Sequence, residues 1–166
     1  HLDRNHDIIS GGLSTVIQHM IGPSGINVVP QPRNLEGNVD EAVVDQIIPL
    51  YAEWSKRPEV TWLHDWPSAQ RLLARTWLRD GECFVSELRG SVPYLEHGSA
   101  VPYSLELLEP DLVPLDFNES SRRILQGIER NTWGRPVAYH VFKQHPGDSM
   151  MYMADTKRVP ADQIRH

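Results

Sequence analysis

Cysteine is almost absent from this chain of 166 residues, in which Cys83 is the only one. An internal disulfide is therefore excluded, and a lone thiol is typical of a protein that works in a reducing cytosol. The sequence also contains no apolar run of membrane-spanning length and no basic-then-apolar signal segment at its start. We therefore predict neither a disulfide-rich secreted fold nor a membrane contact.

Positive charge is also scarce. The chain has 16 Lys and Arg against 22 Asp and Glu, which gives a formal net charge of −6 at pH 7. This balance argues against a free-standing DNA-binding domain, because such a domain normally carries a basic footprint. The hydrophobic content of 40% and charged content of 23% are those of a soluble globular protein. The length predicts one domain over 1–166, or one domain with a small lobe.

Metal-binding and nucleophile motifs are missing as well. The eight histidines include no pair at His-x₃-His spacing on a helix, and one cysteine cannot build a thiolate site. His64 and Asp65 could form a base with its orienting carboxylate, but no Gly-x-Ser-x-Gly elbow supplies a nucleophile. Capping of the helix that follows explains Asp65 better. We predict no metal and no cofactor.

An acidic group near residue 40 is the other catalytic candidate. It comprises Glu36, Asp40, Glu41 and Asp45. A charged first turn that complements a helix dipole explains the last three better than general acid–base chemistry does. We therefore predict no catalytic residue.

Helical patterns occupy the first half of the chain. An apolar stripe predicts a helix at about 5–21, and a second helix should begin at an Asn38 N-cap with Glu41 completing a capping box. Pro49 should kink or split that second helix. A third helix should begin near Asp65 and end before Gly81.

Strand patterns occupy the second half. The predicted strands are Cys83–Arg89, Tyr103–Leu108, Ile124–Arg130, Pro136–Phe142 and the short Met150–Ala154. Helices mainly over 5–80 followed by strands mainly over 83–154 predict an α+β fold with an antiparallel or mixed sheet.

A β-hairpin at about 124–142 is the most specific local prediction. The connection between its strands contains residues that favour turns, namely Asn131, Gly134 and Pro136. Gly134 can adopt the positive φ of a short turn, whereas Pro136 fits only as a first strand residue or on an edge. Both faces of Pro136–Phe142 are mostly apolar, which predicts a strand covered on both sides.

Three arginines recur at helical spacing in the third helix. Arg71, Arg75 and Arg79 are four residues apart and therefore share one face. They could bind phosphate or carboxylates on an adjacent subunit, or they could be a solvated face opposite the apolar stripe. If they bind a partner, the acidic balance of the chain favours another copy of it over DNA.

Tryptophan is concentrated around the connection between the second and third helices. Trp54 and Trp77 lie on apolar stripes and are predicted to be core. Trp62 and Trp66 lie in a Pro-flanked segment where they could face a partner, since tryptophan is common both in cores and at interface hot spots. Trp62, Trp66 and the three arginines are therefore the candidate subunit-interface residues.

Several stretches together resemble the lambda-type family of tailed-bacteriophage portal proteins. In chain order they are Arg4-Asn5 with a helix ending at Gly22 and running into Gly25-Ile26, then Arg75–Glu82, Leu105–Leu112, Ile124–Asp148 and Arg158–His166. Each motif alone is weak, but five in the same order and spacing are specific. The segments between Arg33 and Thr61 and between Gly90 and Tyr103 carry nothing specific to the family.

The resemblance implies a structural function without enzymatic activity. Portal proteins of this family form a ring, typically a dodecamer, at one vertex of the virion capsid. DNA passes through its channel, and terminase and later head-completion and tail proteins dock on it. This chain resembles the outer wing of such a subunit, assembled in the host bacterial cytoplasm with little direct DNA binding. Family members are several times longer and this chain begins at His1 rather than Met, so a fragment or a processed product is expected.

Two other functions remain possible when the residues alone are considered. One is a small hydrolase or nuclease whose acidic residues converge only in three dimensions, and the other is a soluble interaction domain unrelated to phage. An enzyme would need two carboxylates, or a His–carboxylate pair, that share a pocket. A ring subunit would instead spread its polar residues over broad surfaces.

Overall fold

The computed structural model describes residues 6–147 and 155–166. The chain folds into two compact units. The first comprises His1–Arg79 and Leu88–Leu105, and the second comprises Asp80–Glu87 and Glu106–His166. Within the described residues, three α-helices precede two antiparallel sheets, so the α+β prediction is confirmed.

The helices α1, α2 and α3 span Asp7–Ile21, Glu41–Trp54 and Trp66–Asp80. Helix α1 ends where expected, because Gly22 adopts a φ of 73° and its N–H donates to Gln18 O. Helix α3 begins where expected, since Asp65 Oδ1 accepts a hydrogen bond of 2.9 Å from Ser68 N.

The prediction for the start of α2 was wrong. Its N-cap is Asp40, whose Oδ1 accepts from Val43 N, and not Asn38. Asn38 instead donates its N–H to Asn34 Oδ1 in the preceding turn. Pro49 lies inside α2 without splitting it, so of the two predicted effects the split is absent and the kink stays a prediction.

Seven strands form the two sheets within the described residues. They are β1 (Phe84–Arg89), β2 (Tyr103–Leu108), β3 (Ile124–Leu125), β4 (Ile128–Arg130), β5 (Pro136–Phe142), β6 (Thr156–Pro160) and β7 (Ile164–Arg165). One sheet has the order β2-β1-β7 and the other β3-β4-β5-β6. The predicted strand at 150–154 lies outside the described residues, and β6 and β7 were not predicted as strands.

The segment 124–130 is not the single strand that its apolar residues predict. Gln126 and Gly127 have φ values of 52° and 73°, which makes them the two central residues of a tight turn between β3 and β4. A Cβ atom at Gly127 would lie 3.1 Å from Pro114 O and from Val113 Cγ1. Backbone conformation and close packing therefore both favour glycine there.

Strand β5 lies at the centre of the second unit. It pairs with β4 on one side and with β6 on the other, and Ala138–Phe142 are all buried. The predicted coverage of both faces is confirmed. The core of the second unit consists of Phe84, Leu108, Val113, Ile128, Tyr139, Val141, Val159 and Ile164.

The helices of the first unit bury few large apolar side chains. Ile17 is the one buried residue of α1, and Trp54 that of α2. Trp54 is core as predicted, but Trp77 is 50% exposed, so its assignment to the core was wrong. Its apolar stripe on α3 therefore lies partly open to solvent.

The turn between β4 and β5 is closed by Asn131. Its backbone N–H donates to Arg135 O, its backbone O accepts from Gly134 N, and its Oδ1 accepts from Trp133 N and Arg135 N. Gly134 has a φ of 79°, and Pro136 is the first residue of β5. The turn thus has its own hydrogen-bond network and a left-handed position that disfavours any residue with a β-branched side chain.

Gly134→Val is expected to lower the free energy of unfolding by about 1–3 kcal/mol, because a β-branched residue is strained at positive φ. A Cβ atom there would meet nothing within 4 Å, so the cost is one of backbone conformation alone. The control Thr132→Ala should cost under about 0.5 kcal/mol. Urea denaturation measures both, and equal small effects would contradict this account of the turn.

Candidate interaction surfaces

The arginine strip on α3 is largely engaged within the first unit. Arg71 Nη1 donates to Gly22 O and Pro23 O at 3.2 and 3.1 Å, and Arg75 Nη2 donates to Ser14 Oγ at 2.8 Å. These bonds hold the end of α1 against α3 beside a cleft of about 530 Å³. Arg79 lies exposed one turn further on. A role of this strip in binding a subunit or phosphate stays a prediction.

Gln70 holds the segment that follows α1. Its side chain is almost fully buried; Oε1 accepts from Ile26 N at 2.7 Å and Nε2 donates to Ile26 O at 3.2 Å. Gly25 has a φ of 75°, and a Cβ atom there would lie only 2.7 Å from Gln70 Oε1. The close approach of this backbone to α3 therefore requires glycine.

Trp66 packs into an aromatic cluster centred on Trp54. The Trp54 ring centroid lies 5.4 Å from that of Trp66, 5.8 Å from that of Tyr103 and 5.9 Å from that of Tyr51. Trp54 Nε1 donates to Tyr103 O at 3.0 Å. Trp66 is half-buried by these contacts, which leaves only part of its ring for a partner.

Glu59 is a buried carboxylate that the sequence patterns did not single out. It is 2% exposed and accepts hydrogen bonds from Thr61 N and Oγ1, from Leu63 N and from His64 N, at 2.6 to 3.0 Å. Burial raises the pKa of Glu59, but the bonds from His64, Thr61 and Leu63 outweigh it and hold that pKa below its usual value. An ionised carboxylate thus organises the loop between α2 and α3.

Trp62 is presented to solvent by that loop. It has a φ of 59°, which is unusual for a residue with a large side chain, and the residue is 39% exposed. The Arg57 guanidinium lies 5.1 Å from the Trp62 ring centroid, within cation–π range. A Cβ atom at Gly98 would lie 2.5 Å from Arg57 O and 3.3 Å from Trp62 Nε1. The ring is therefore held in place while one side remains accessible.

An apolar groove, here called the α2 groove, borders the aromatic cluster. It encloses about 350 Å³ and is lined by Ile47, Leu50, Tyr51, Trp54, Val101 and Tyr103. All these residues belong to the first unit. Leu50 is 46% exposed at its edge, so an apolar group from another molecule could enter.

A His–carboxylate pair is present in the second unit and tests the enzyme alternative. His140 Nε2 lies 3.6 Å from Glu129 Oε2, beyond hydrogen-bond length. Glu129 is held by two bonds from Arg158, at 2.8 and 3.1 Å, which lower its pKa. Burial, and then the charge of Arg122, lower the pKa of His140. A neutral buried imidazole beside an ion-paired carboxylate explains this pair as packing.

The described residues contain neither a candidate metal centre nor a membrane-spanning helix. Within 6–147 and 155–166, no three His, Cys, Asp or Glu side chains lie close enough together to hold a metal ion. No helix in the described part of the chain is long and apolar enough to cross a membrane.

Comparison with known proteins identifies the family. The family described as phage portal protein, lambda family, matches residues 1–166, which is the whole chain. The chain belongs to this family. The resemblance found in the sequence motifs is therefore confirmed.

A curated relative supports the same assignment. The probable portal protein of Halomonas phage phiHAP-1 is 30% identical to this portal-family chain over 155 residues. The aligned region covers 89% of this chain and 29% of the relative. The chain thus corresponds to less than a third of that protein's length.

Glu59→Gln should lower the free energy of unfolding of this portal-family chain by about 1–3 kcal/mol at pH 7, because bonds to a charged acceptor are lost. Its folded-state pKa is depressed, so the contribution is present above the unfolded-state pKa and lost as pH falls through the folded-state value. The exposed Glu96→Gln should change stability by under about 0.5 kcal/mol. Urea denaturation across pH would contradict this if both variants gave the same profile.

Duplex DNA should bind this portal-family chain more weakly than about 1 μM near 150 mM salt, because non-specific affinity needs many phosphate contacts. The net charge of −6 and the engagement of Arg71 and Arg75 within the chain both favour this result. Gel-shift titration is the measurement. Tighter binding that is lost on changing Arg71, Arg75 and Arg79 to alanine, but kept with Arg33, Lys56 and Arg123 changed, would make the strip a DNA site.

Proposed function

We propose that this chain is part of a portal subunit, a structural component of the phage virion that performs no catalysis. Its copies would form a ring, typically a dodecamer, at one capsid vertex, through which DNA is packaged and ejected. Terminase, capsid, head-completion and tail proteins would dock on the ring, which would be assembled in the host bacterial cytoplasm. The observation that carries this proposal is the family match over residues 1–166.

The surface of the first unit supports an assembly function. Large apolar side chains are exposed on all three helices: Ile8, Ile9, Val16 and Met20 on α1, Val43, Ile48 and Leu50 on α2, and Leu72 and Trp77 on α3. In the full-length subunit these side chains would offer apolar contacts to other proteins. Placement of the chain in the wing of the subunit rests on the family resemblance.

The difference in apolar burial between the two units also favours a structural role. The second unit carries the main apolar core around β5, whereas the first carries exposed apolar side chains on its helices. A chain that combines a unit with a stable core and a unit with exposed apolar side chains is suited to building an assembly. The polar side chains with perturbed pKa values, among them Glu59, Glu129 and His140, are engaged in local packing rather than grouped around an open pocket.

Electron microscopy of the full-length protein tests the proposal. We expect rings with a central hole, whereas particles without rings under conditions that keep the protein folded would contradict it. The 166-residue chain alone should be monomeric or weakly associated at micromolar concentration, because ring contacts from the rest of a much longer subunit are missing. Sedimentation that shows a stable dodecamer of this chain alone would overturn that expectation.

A further inference from the structure

His140 is the one buried histidine in the described part of the chain. It lies in β5, is 4% exposed, and its ring meets that of Phe117 edge to face at a centroid distance of 5.0 Å. Its Nε2 atom has no hydrogen-bond partner within the described residues. Buried polar atoms without a partner are rare, because each costs free energy when it leaves water. An apolar side chain would fill this position without that cost.

The charged groups that face this imidazole come from both neighbouring strands and from a short turn before β3. Glu129 on β4 places Oε2 at 3.6 Å from His140 Nε2. The same oxygen accepts a bond of 2.8 Å from Arg158 Nε on β6 and lies 3.8 Å from Arg122 Nη2. Glu119 pairs in turn with Arg122 at 3.3 Å. The cluster holds two guanidinium and two carboxylate groups, so its charges balance only while His140 is neutral.

A proton on His140 would add a third positive charge to this cluster. The nearest carboxylate oxygen is already held by Arg158, and its distance from His140 Nε2 is longer than a hydrogen bond. Burial first, and then the charge of Arg122, hold the pKa of His140 below its ordinary value. The attraction of Glu129 acts in the opposite direction and does not outweigh these effects. The folded chain therefore accepts this proton less readily than the unfolded chain does.

We propose that His140 makes the sheet β3-β4-β5-β6 sensitive to acid, so that protonation of this side chain in mildly acidic solution loosens the second unit. The cluster lies entirely within that unit and joins β4, β5 and β6. Stability that depends on the neutral imidazole is complete above the ordinary histidine pKa of about 6.5 and is lost as pH falls below it. The inference concerns contacts within one unit, so it does not depend on ring formation.

Hydrogen exchange of the full-length protein, measured by mass spectrometry, tests the inference. Exchange of peptides that contain β5 and β6 is compared at about pH 7.5 and about pH 5.5, on either side of the ordinary histidine pKa, after correction for the intrinsic effect of pH on exchange. We expect opening of these strands to increase at the lower pH. The increase should reach at most about tenfold for each unit by which folding lowers the pKa of His140. No increase in the unsubstituted protein would overturn the inference.

Matched histidine substitutions isolate the buried side chain. His140→Gln removes the titrating group from β5, whereas His19→Gln removes an exposed histidine from α1. His140→Gln should abolish or strongly reduce the acid-dependent increase in β5 and β6, and His19→Gln should keep it. Peptides from α2 serve as an internal reference, since this helix lies in the first unit. The same increase in His140→Gln as in the unsubstituted protein would overturn the inference.

A second variant keeps His140 and covers the case in which His140→Gln fails to fold. Arg122→Gln removes a positive charge that faces the imidazole and should therefore raise the pKa of His140. The acid-dependent increase in exchange should then begin at the same pH but be smaller, because the folded and unfolded states differ less in proton affinity. The control Arg123→Gln changes the neighbouring exposed arginine and should leave the increase unchanged. Equal increases in both arginine variants would contradict the electrostatic basis of the inference.

Discussion

The ionised carboxylate of Glu59 is the constraint on which the first unit depends. Its hydrogen bonds to Thr61, Leu63 and His64 fix the loop between α2 and α3, and the backbone beside it pairs with Leu105 through Val60 N and Pro58 O. These bonds connect the loop before α3 to Leu105 of β2. The rings of Trp66 and Tyr103 both pack against the ring of Trp54. The buried carboxylate of Glu59 thus orders the loop that leads to Trp66, one member of the aromatic cluster beside the α2 groove.

Local chemistry made much of the fold predictable from the sequence. Gly22 ends α1, Asp65 begins α3, and the apolar faces of β5 are buried because these features depend on neighbouring residues in the chain. Gln126 was missed because a glutamine at positive φ has no sequence signature, and Gly127 alone was the available signal for the tight turn. Asn38 and Asp40 are both good caps, and only the turn closed by Asn34 decides between them.

The candidate surfaces were less predictable from the sequence. Helical spacing shows which side chains share one face of a helix, but not which groups they contact. The spacing of Arg71 and Arg75 places them on one face, but the carbonyl groups of Gly22 and Pro23 and the hydroxyl of Ser14 decide what they bind. Glu59 lies in a loop without periodicity, so nothing in the pattern marks it as buried. Its importance follows from three amide groups that converge only after folding.

Apolar surface is distributed unequally between the two units, and this has a consequence for assembly. In the second unit, β5 has partners on both edges and Ala138–Phe142 are buried, whereas Leu115, Leu125 and Trp133 lie exposed outside this core. In the first unit, α2 buries Trp54 but leaves Leu50 half exposed beside an open groove. A protein that leaves apolar side chains of this kind in water gains free energy when another protein covers them.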